Sequence, residues 1–122
     1  MLTVVEPAAE VYWDAVGTII DLEGTTEIRP QSVEEWEAVR NAAYVIAESG
    51  NLLMMQGRAE DHPAWIPMSQ ALVDVGRQAI EAANAMDEAA VFDVGAEIYY
   101  VCSNCHASFA LETLRPNDER AN

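Results

Sequence analysis

The stretch SVEEWEAVRNAAYVIAESGNLLMM, residues 32–55, leaves little choice but an amphipathic helix. Trp36, Val39, Ala43, Ile46, Gly50 and Leu53 recur at three- and four-residue intervals, which lines them along one side of a 3.6-residue repeat. Ser32 stands where an N-cap is needed and Glu35 follows three residues later, the spacing of a capping box. A helix with one apolar face must bury that face against something else, so the rest of the chain has to supply partners.

Three further segments show the same period. After Pro7, a helix is expected over roughly Ala8–Leu22, with Tyr12, Val16 and Ile19 on one stripe and Gly24 as the stop. The segment QGRAEDHPAWIP, broken by Gly57, Pro63 and Pro67, reads as a connector. A third helix is expected from about Met68 to Asp87, carrying Leu72, Val75, Gly76, Ala79, Ala83 and Met86, and a fourth from about Glu88 to Leu114. That fourth segment places Val91, Val94, Ile98, Cys102, Cys105 and Phe109 on one face. Val4, Val5, Thr25 and Thr26 are β-branched and suit short extended pieces, but no alternating run is bounded by Asn-Gly or Asp-Gly, so no strand is required. The expected fold class is all-α, an antiparallel four-helix bundle, with residues 1–122 forming a single domain.

Composition supports a packed domain and restricts its partners. The chain has 122 residues, 51% of them hydrophobic, enough for one real core. With 6 Lys+Arg against 21 Asp+Glu the formal net charge is −15, which sets a nucleic-acid backbone or an anionic membrane surface against like charge. A basic partner surface suits it better. No apolar run approaches the ~20 residues of a membrane span, and MLTVVEPAAE lacks the basic segment and apolar core of a signal peptide. Acidic pairs such as those in VEEWE, AEDH and MDEAA follow from the composition and mark solvated faces, and no enzyme site is expected.

The chemistry-bearing motif is CSNCH, which contains both cysteines of the chain, Cys102 and Cys105, and then His106. On a helix these positions, i, i+3 and i+4, fall along one side. Cys-x-x-Cys-His is the attachment signal for c-type haem: the thiols form thioethers to two porphyrin vinyl groups and the imidazole becomes an axial iron ligand. Three other readings compete. A redox dithiol needs a helix N-terminus to lower its thiol pKa, whereas this pair falls deep in the last helix. A structural zinc site needs about four ligands, and beyond the motif only His62 offers another imidazole. A disulfide between Cys102 and Cys105 would sit awkwardly within one helical turn.

A four-helix chain with its Cys-x-x-Cys-His on the last helix resembles the class II c-type cytochromes, the cytochrome c-prime superfamily. YWDAVGTIIDLEG, EEWEAVRNAAYVIAESGNLLMM and FDVGAEIYYVCSNCHASF are similar to segments of periplasmic bacterial cytochromes of that group. The resemblance implies one haem c held by Cys102 and Cys105, with His106 as the proximal metal ligand and a periplasmic location reached through a leader since removed. It also implies that the first helix faces the iron from the other side, which makes Tyr12, Val16, Ile19 and Ile20 the candidate distal residues. Low-spin relatives place a methionine there, and this segment has none. HASFALE also departs from the family in carrying Phe109, Ala110 and Leu111 where relatives place a basic residue after the histidine.

The functional expectation is one-electron transfer with a basic redox partner. The alternative is binding of nitric oxide or carbon monoxide at a five-coordinate iron, and pairing of relatives through their first two helices implies a homodimer. His62 and the methionines Met54, Met55, Met68 and Met86 are secondary candidates for the sixth ligand, and any of Trp13, Trp36 and Trp65 can pack on the porphyrin.

Overall fold

The computed structural model describes residues 3–110. Among them are four helices packed on one another, α1 (Val5–Asp14), α2 (Val33–Leu53), α3 (Trp65–Asn84) and α4 (Glu88–Phe109). Two short strands, β1 (Gly17–Asp21) and β2 (Gly24–Ile28), stand between α1 and α2. The expected all-α class is therefore correct for the body of the protein, with one β-hairpin added to it.

That hairpin corrects the first helix. α1 ends at Asp14, not Leu22, so Val16 lies just beyond it and Ile19 lies in β1. Thr18, Ile19 and Ile20 form a β-branched run that prefers the extended backbone. Its partner strand supplies Thr25, Thr26 and Ile28, in antiparallel register with Gly17 opposite Ile28 and Asp21 opposite Gly24. The turn needs only Leu22 and Glu23 between the strands. Asp21 Oδ1 accepts the Glu23 N–H at 2.9 Å, and Gly24 has φ +133°, a conformation that other residues rarely adopt.

α2 begins as its capping residues dictate. Ser32 Oγ accepts the Glu35 N–H at 3.2 Å. The reciprocal bond goes one residue further back than a capping box requires, from the Gln31 N–H to Glu35 Oε2. α3 starts earlier than expected, at Trp65, because Pro67 falls within its first turn, where the missing N–H is not needed by the helix. It ends at Asn84, and Met86 leaves the helix with φ 52°. The Met86 N–H reaches the Ala83 carbonyl at 3.0 Å and the Asp87 N–H reaches that of Ala82 at 3.2 Å, the paired bonds of a Schellman ending. Asp87 then caps α4, its Oδ1 accepting the Ala90 N–H at 3.0 Å. The expected continuation of this helix to Leu114 lies outside the described residues.

α2 and α3 form the tightest pair. A Cβ on Gly76 would stand 2.5 Å from Ala47 Cα, and one on Gly50 would stand 2.7 Å from the Ser69 carbonyl oxygen. Trp65 at the start of α3 reaches Leu53 at the end of α2, donating its Nε1–H to the Leu53 carbonyl at 2.7 Å. At the other end of the pair, Val33 and Trp36 of α2 share a small cavity with Ala83, Asn84 and Met86. The core joins Tyr12, Trp36, Val39, Ile46, Leu72, Val75, Ala79, Val91 and Ile98 from all four helices. α1 closes onto this core through Tyr12, and Trp13 donates its Nε1–H to the Gly95 carbonyl of α4 at 2.9 Å.

Candidate functional site

Cys102, Cys105 and His106 lie together in the last third of α4, as their spacing predicts. All three are half-buried, whereas Asn104 between them is exposed. Cys102 packs against the hydrophobic core. One turn later, Cys105 and His106 open into a cleft of about 400 Å³, within the usual size of small-molecule sites. Leu53, Trp65 and Phe109 wall it, with Glu60 and Ser108 at its rim.

The walls come from three elements and are braced against one another. Phe109 lies one turn beyond His106 and meets the edge of Trp65 with ring centroids 4.9 Å apart. It also meets His62 of the connector at 5.1 Å. Edge-to-face rings at these separations attract through their quadrupoles. Trp65 is fixed in turn by its bond to Leu53, so the end of α2, the start of α3 and the end of α4 are tied together around the cleft.

Both cysteines are free thiols. Burial pushes the Cys102 thiol up, and a charge on Cys105 would push it further; burial alone raises Cys105. A dithiol that exchanges electrons by thiolate attack needs the opposite shift. Among the described residues no group of three or more His, Cys, Asp or Glu is placed to hold a metal ion, so the donor set for structural zinc is not assembled. Two neutral thiols and an imidazole on one side of a helix, beside an apolar cleft, fit the attachment of haem through Cys-x-x-Cys-His.

The expected distal residues stand elsewhere. Tyr12 is 0% exposed in the core, its hydroxyl 3.5 Å from the Ala79 carbonyl oxygen. Tyr12 and Val16 line a different hollow, with Val91, Gly95 and Tyr99. Ile19, 48% exposed, and Ile20 lie in β1. None of the four lines the cleft that holds Cys105 and His106. The stripe that groups Tyr12 with Val16 and Ile19 exists only on a continuous helix, and α1 stops before it is complete.

His62 is exposed in the connector, where its Nδ1 accepts the Ala64 N–H at 3.0 Å and its ring meets Phe109. Met55 is exposed, and its sulfur accepts from Arg58 Nη1 at 3.5 Å. Of the three tryptophans singled out in the sequence, Trp65 lines the cleft, whereas Leu53 and Glu60 enter it unannounced. The apolar end of α2, NLL, and the start of α3 at Trp65 are the local features that, folded, bring them to Cys105. Comparison with protein-family models, with curated proteins and with solved structures gives no match to this chain.

Proposed function

We propose that this protein is a c-type cytochrome similar to the class II group, an antiparallel four-helix bundle that carries one covalent haem and works as a one-electron carrier outside the cytoplasm. The observation that carries the reading is the placement of Cys105 and His106 on a cleft walled by Leu53, Trp65 and Phe109, with Cys102 one turn away on the same helix. The opposite running of α2 and α3, seen in the pairs Leu53 with Trp65 and Ala47 with Gly76, supports the antiparallel arrangement.

In this reading Cys102 and Cys105 would each hold the haem through a thioether, the addition of S–H across a vinyl group, which loses nothing and needs no external oxidant. Their raised pKa values keep them as thiols until then. His106 would be the residue that holds the iron, through an imidazole lone pair. The haem, when bound, supplies a metal that cycles between two oxidation states. Leu53, Trp65 and Phe109 exclude water and lower the local dielectric, and the acidic surface steers a basic redox partner toward the protein. No helix among the described residues is long and apolar enough to cross a membrane.

One observation favours a second reading, binding of nitric oxide or carbon monoxide at an open iron site. Among the described residues lining the cleft, apart from Glu60 and Ser108 at its rim, the walls Leu53, Trp65 and Phe109 carry no atom that ligates iron. An absorption spectrum of protein matured with the haem-attachment machinery tests both. Colourless protein after competent maturation refutes the cytochrome. Bands that shift on adding carbon monoxide to the reduced form establish an open site, and bands that ignore the gas leave electron transfer alone.

A further inference from the structure

Between α1, the hairpin and the first half of α4 runs an apolar groove that the haem reading does not use. Tyr12, Trp13 and Val16 form one wall and Phe92, Ala96 and Tyr99 the other, around about 290 Å³. A second hollow continues from it through the shared Val16 and Phe92, passing Thr18 and Glu27 of the hairpin and Glu88 of α4. The groove exists because α1 stops at Asp14, leaving the flank of α4 beyond it without a helix to cover it.

Phe92 and Tyr99 lie two turns apart on α4, yet are 62% and 61% exposed. Large aromatics clustered around an open apolar hollow mark an interaction surface, because leaving them in water forfeits the burial that favours them. Their surroundings select the partner. Glu27 and Glu88 line the adjoining hollow, and the exposed Asp93 and Glu97 flank the aromatic stripe on α4. Arg29 is the only lysine or arginine among the described residues lining the two hollows.

We propose that this groove docks a basic amphipathic segment of another protein, its apolar side on Phe92 and Tyr99 and its lysines or arginines against the carboxylates. Charge disfavours a second copy as the occupant, since each copy carries −15 and face-to-face docking would oppose the two acidic rims. The proposal does not depend on haem: it uses no atom of Cys102, Cys105 or His106.

The test is a titration of the full-length matured protein with a fluorescently labelled 18-residue leucine–lysine helical peptide, read by anisotropy. Controls are a lysine peptide of the same composition with its apolar side scrambled, and a leucine–glutamate helix. Saturable binding is expected for the first peptide alone, weakening at least tenfold in the Phe92→Ser/Tyr99→Ser variant and several-fold between 50 and 200 mM salt. Glu27→Gln/Glu88→Gln should weaken binding and flatten its salt dependence, and Tyr44→Ser, on α2, should change nothing. Unfolding transitions of each variant confirm that it is folded. Equal binding by wild type and Phe92→Ser/Tyr99→Ser, equal binding of the scrambled peptide, or binding of the acidic helix overturns the proposal. So does a wild-type dimer in sedimentation that Phe92→Ser/Tyr99→Ser dissociates, which would make the occupant a second copy.

Discussion

Gly76 of α3 lies against the backbone of Ala47 of α2 so closely that an added Cβ would be 2.5 Å from Ala47 Cα and 2.6 Å from its nitrogen. The obstructing atoms are backbone, which no rotamer change can move. Gly76→Ala gains ~1 kcal/mol of helix propensity, but the overlap must be relieved by separating α2 from α3, and overpacking of this kind costs ~1–3 kcal/mol or more. A net loss of about 1–2 kcal/mol is expected, read as a lower urea midpoint with unchanged slope. No loss would show that the two helices do not meet here.

Met86 presents the reverse case. It holds φ 52° at the end of α3 within a Schellman ending, a position glycine fills without strain. Its side chain is 51% exposed, so removing it sacrifices little packing. A left-handed conformation costs a side-chain-bearing residue ~1–2 kcal/mol, and the greater freedom of glycine in the unfolded chain returns ~0.4–1 of that. Met86→Gly should therefore stabilise the protein by roughly 0.5–1 kcal/mol, seen as a raised thermal midpoint.

These two positions also show what the sequence makes legible. α2 can be read from Ser32, Glu35 and the stripe from Trp36 to Leu53, because cap and period agree. Met86 cannot be placed by period alone: it continues the α3 stripe in sequence, but its backbone has already left the helix. The first helix is overread for the same reason. Val16 and Ile19 continue a helical period, while the β-branched run Thr18–Ile20 and the turn at Asp21–Gly24 direct the chain into a hairpin. At the site, the helix position of Cys102, Cys105 and His106 follows from spacing, which is local. The walls Leu53 and Trp65 depend on how three helix ends meet, which no local pattern records.

The half-buried thiols make the protein sensitive to alkali while they remain free. Cys102 and Cys105 both have folded pKa values above the ordinary thiol value, so the folded state holds their protons more tightly than the unfolded chain does. Stability from this source is complete below about pH 8.5, the unfolded thiol value, and is lost as pH rises through the folded values. Burial raises Tyr12 as well, adding the same sign at still higher pH. The urea midpoint should fall between pH 8 and 10, and Cys102→Ser/Cys105→Ser should flatten that part of the profile. A midpoint that rises over the same range would contradict the burial of the thiols.

Trp65 separates a hydrogen bond from a wall. Its Nε1–H satisfies the carbonyl of Leu53, one of the end-of-helix acceptors that α2 itself leaves unpaired. Trp65→Phe removes that bond but keeps a ring against Phe109, and should cost ~1 kcal/mol. Trp65→Ala removes the wall too, at ~3–5 kcal/mol for a fully buried site and less here, where the indole is half-buried. Iodoacetamide labelling of the haem-free protein should follow the wall: faster at Cys105 in Trp65→Ala by several-fold, near wild type in Trp65→Phe. Equal labelling rates in all three would show that Trp65 does not shield the cleft.

The two cysteines should fail in an additive way, and the histidine in a different one. If Cys102 and Cys105 each form one thioether, as proposed, Cys102→Ala and Cys105→Ala should each retain pigment through a single bond, with lower yield. The double variant should lose all haem on denaturation in acid and organic solvent. In the proposed arrangement His106 would hold the iron and not the porphyrin carbons, so His106→Ala should retain the haem mass while its spectrum changes. Intact-protein mass spectrometry after denaturation separates these cases, because only covalent haem stays with the chain. A double cysteine variant that keeps the haem mass would refute thioether attachment at this motif. A His106→Ala variant with an unaltered spectrum would assign the axial ligand to another residue.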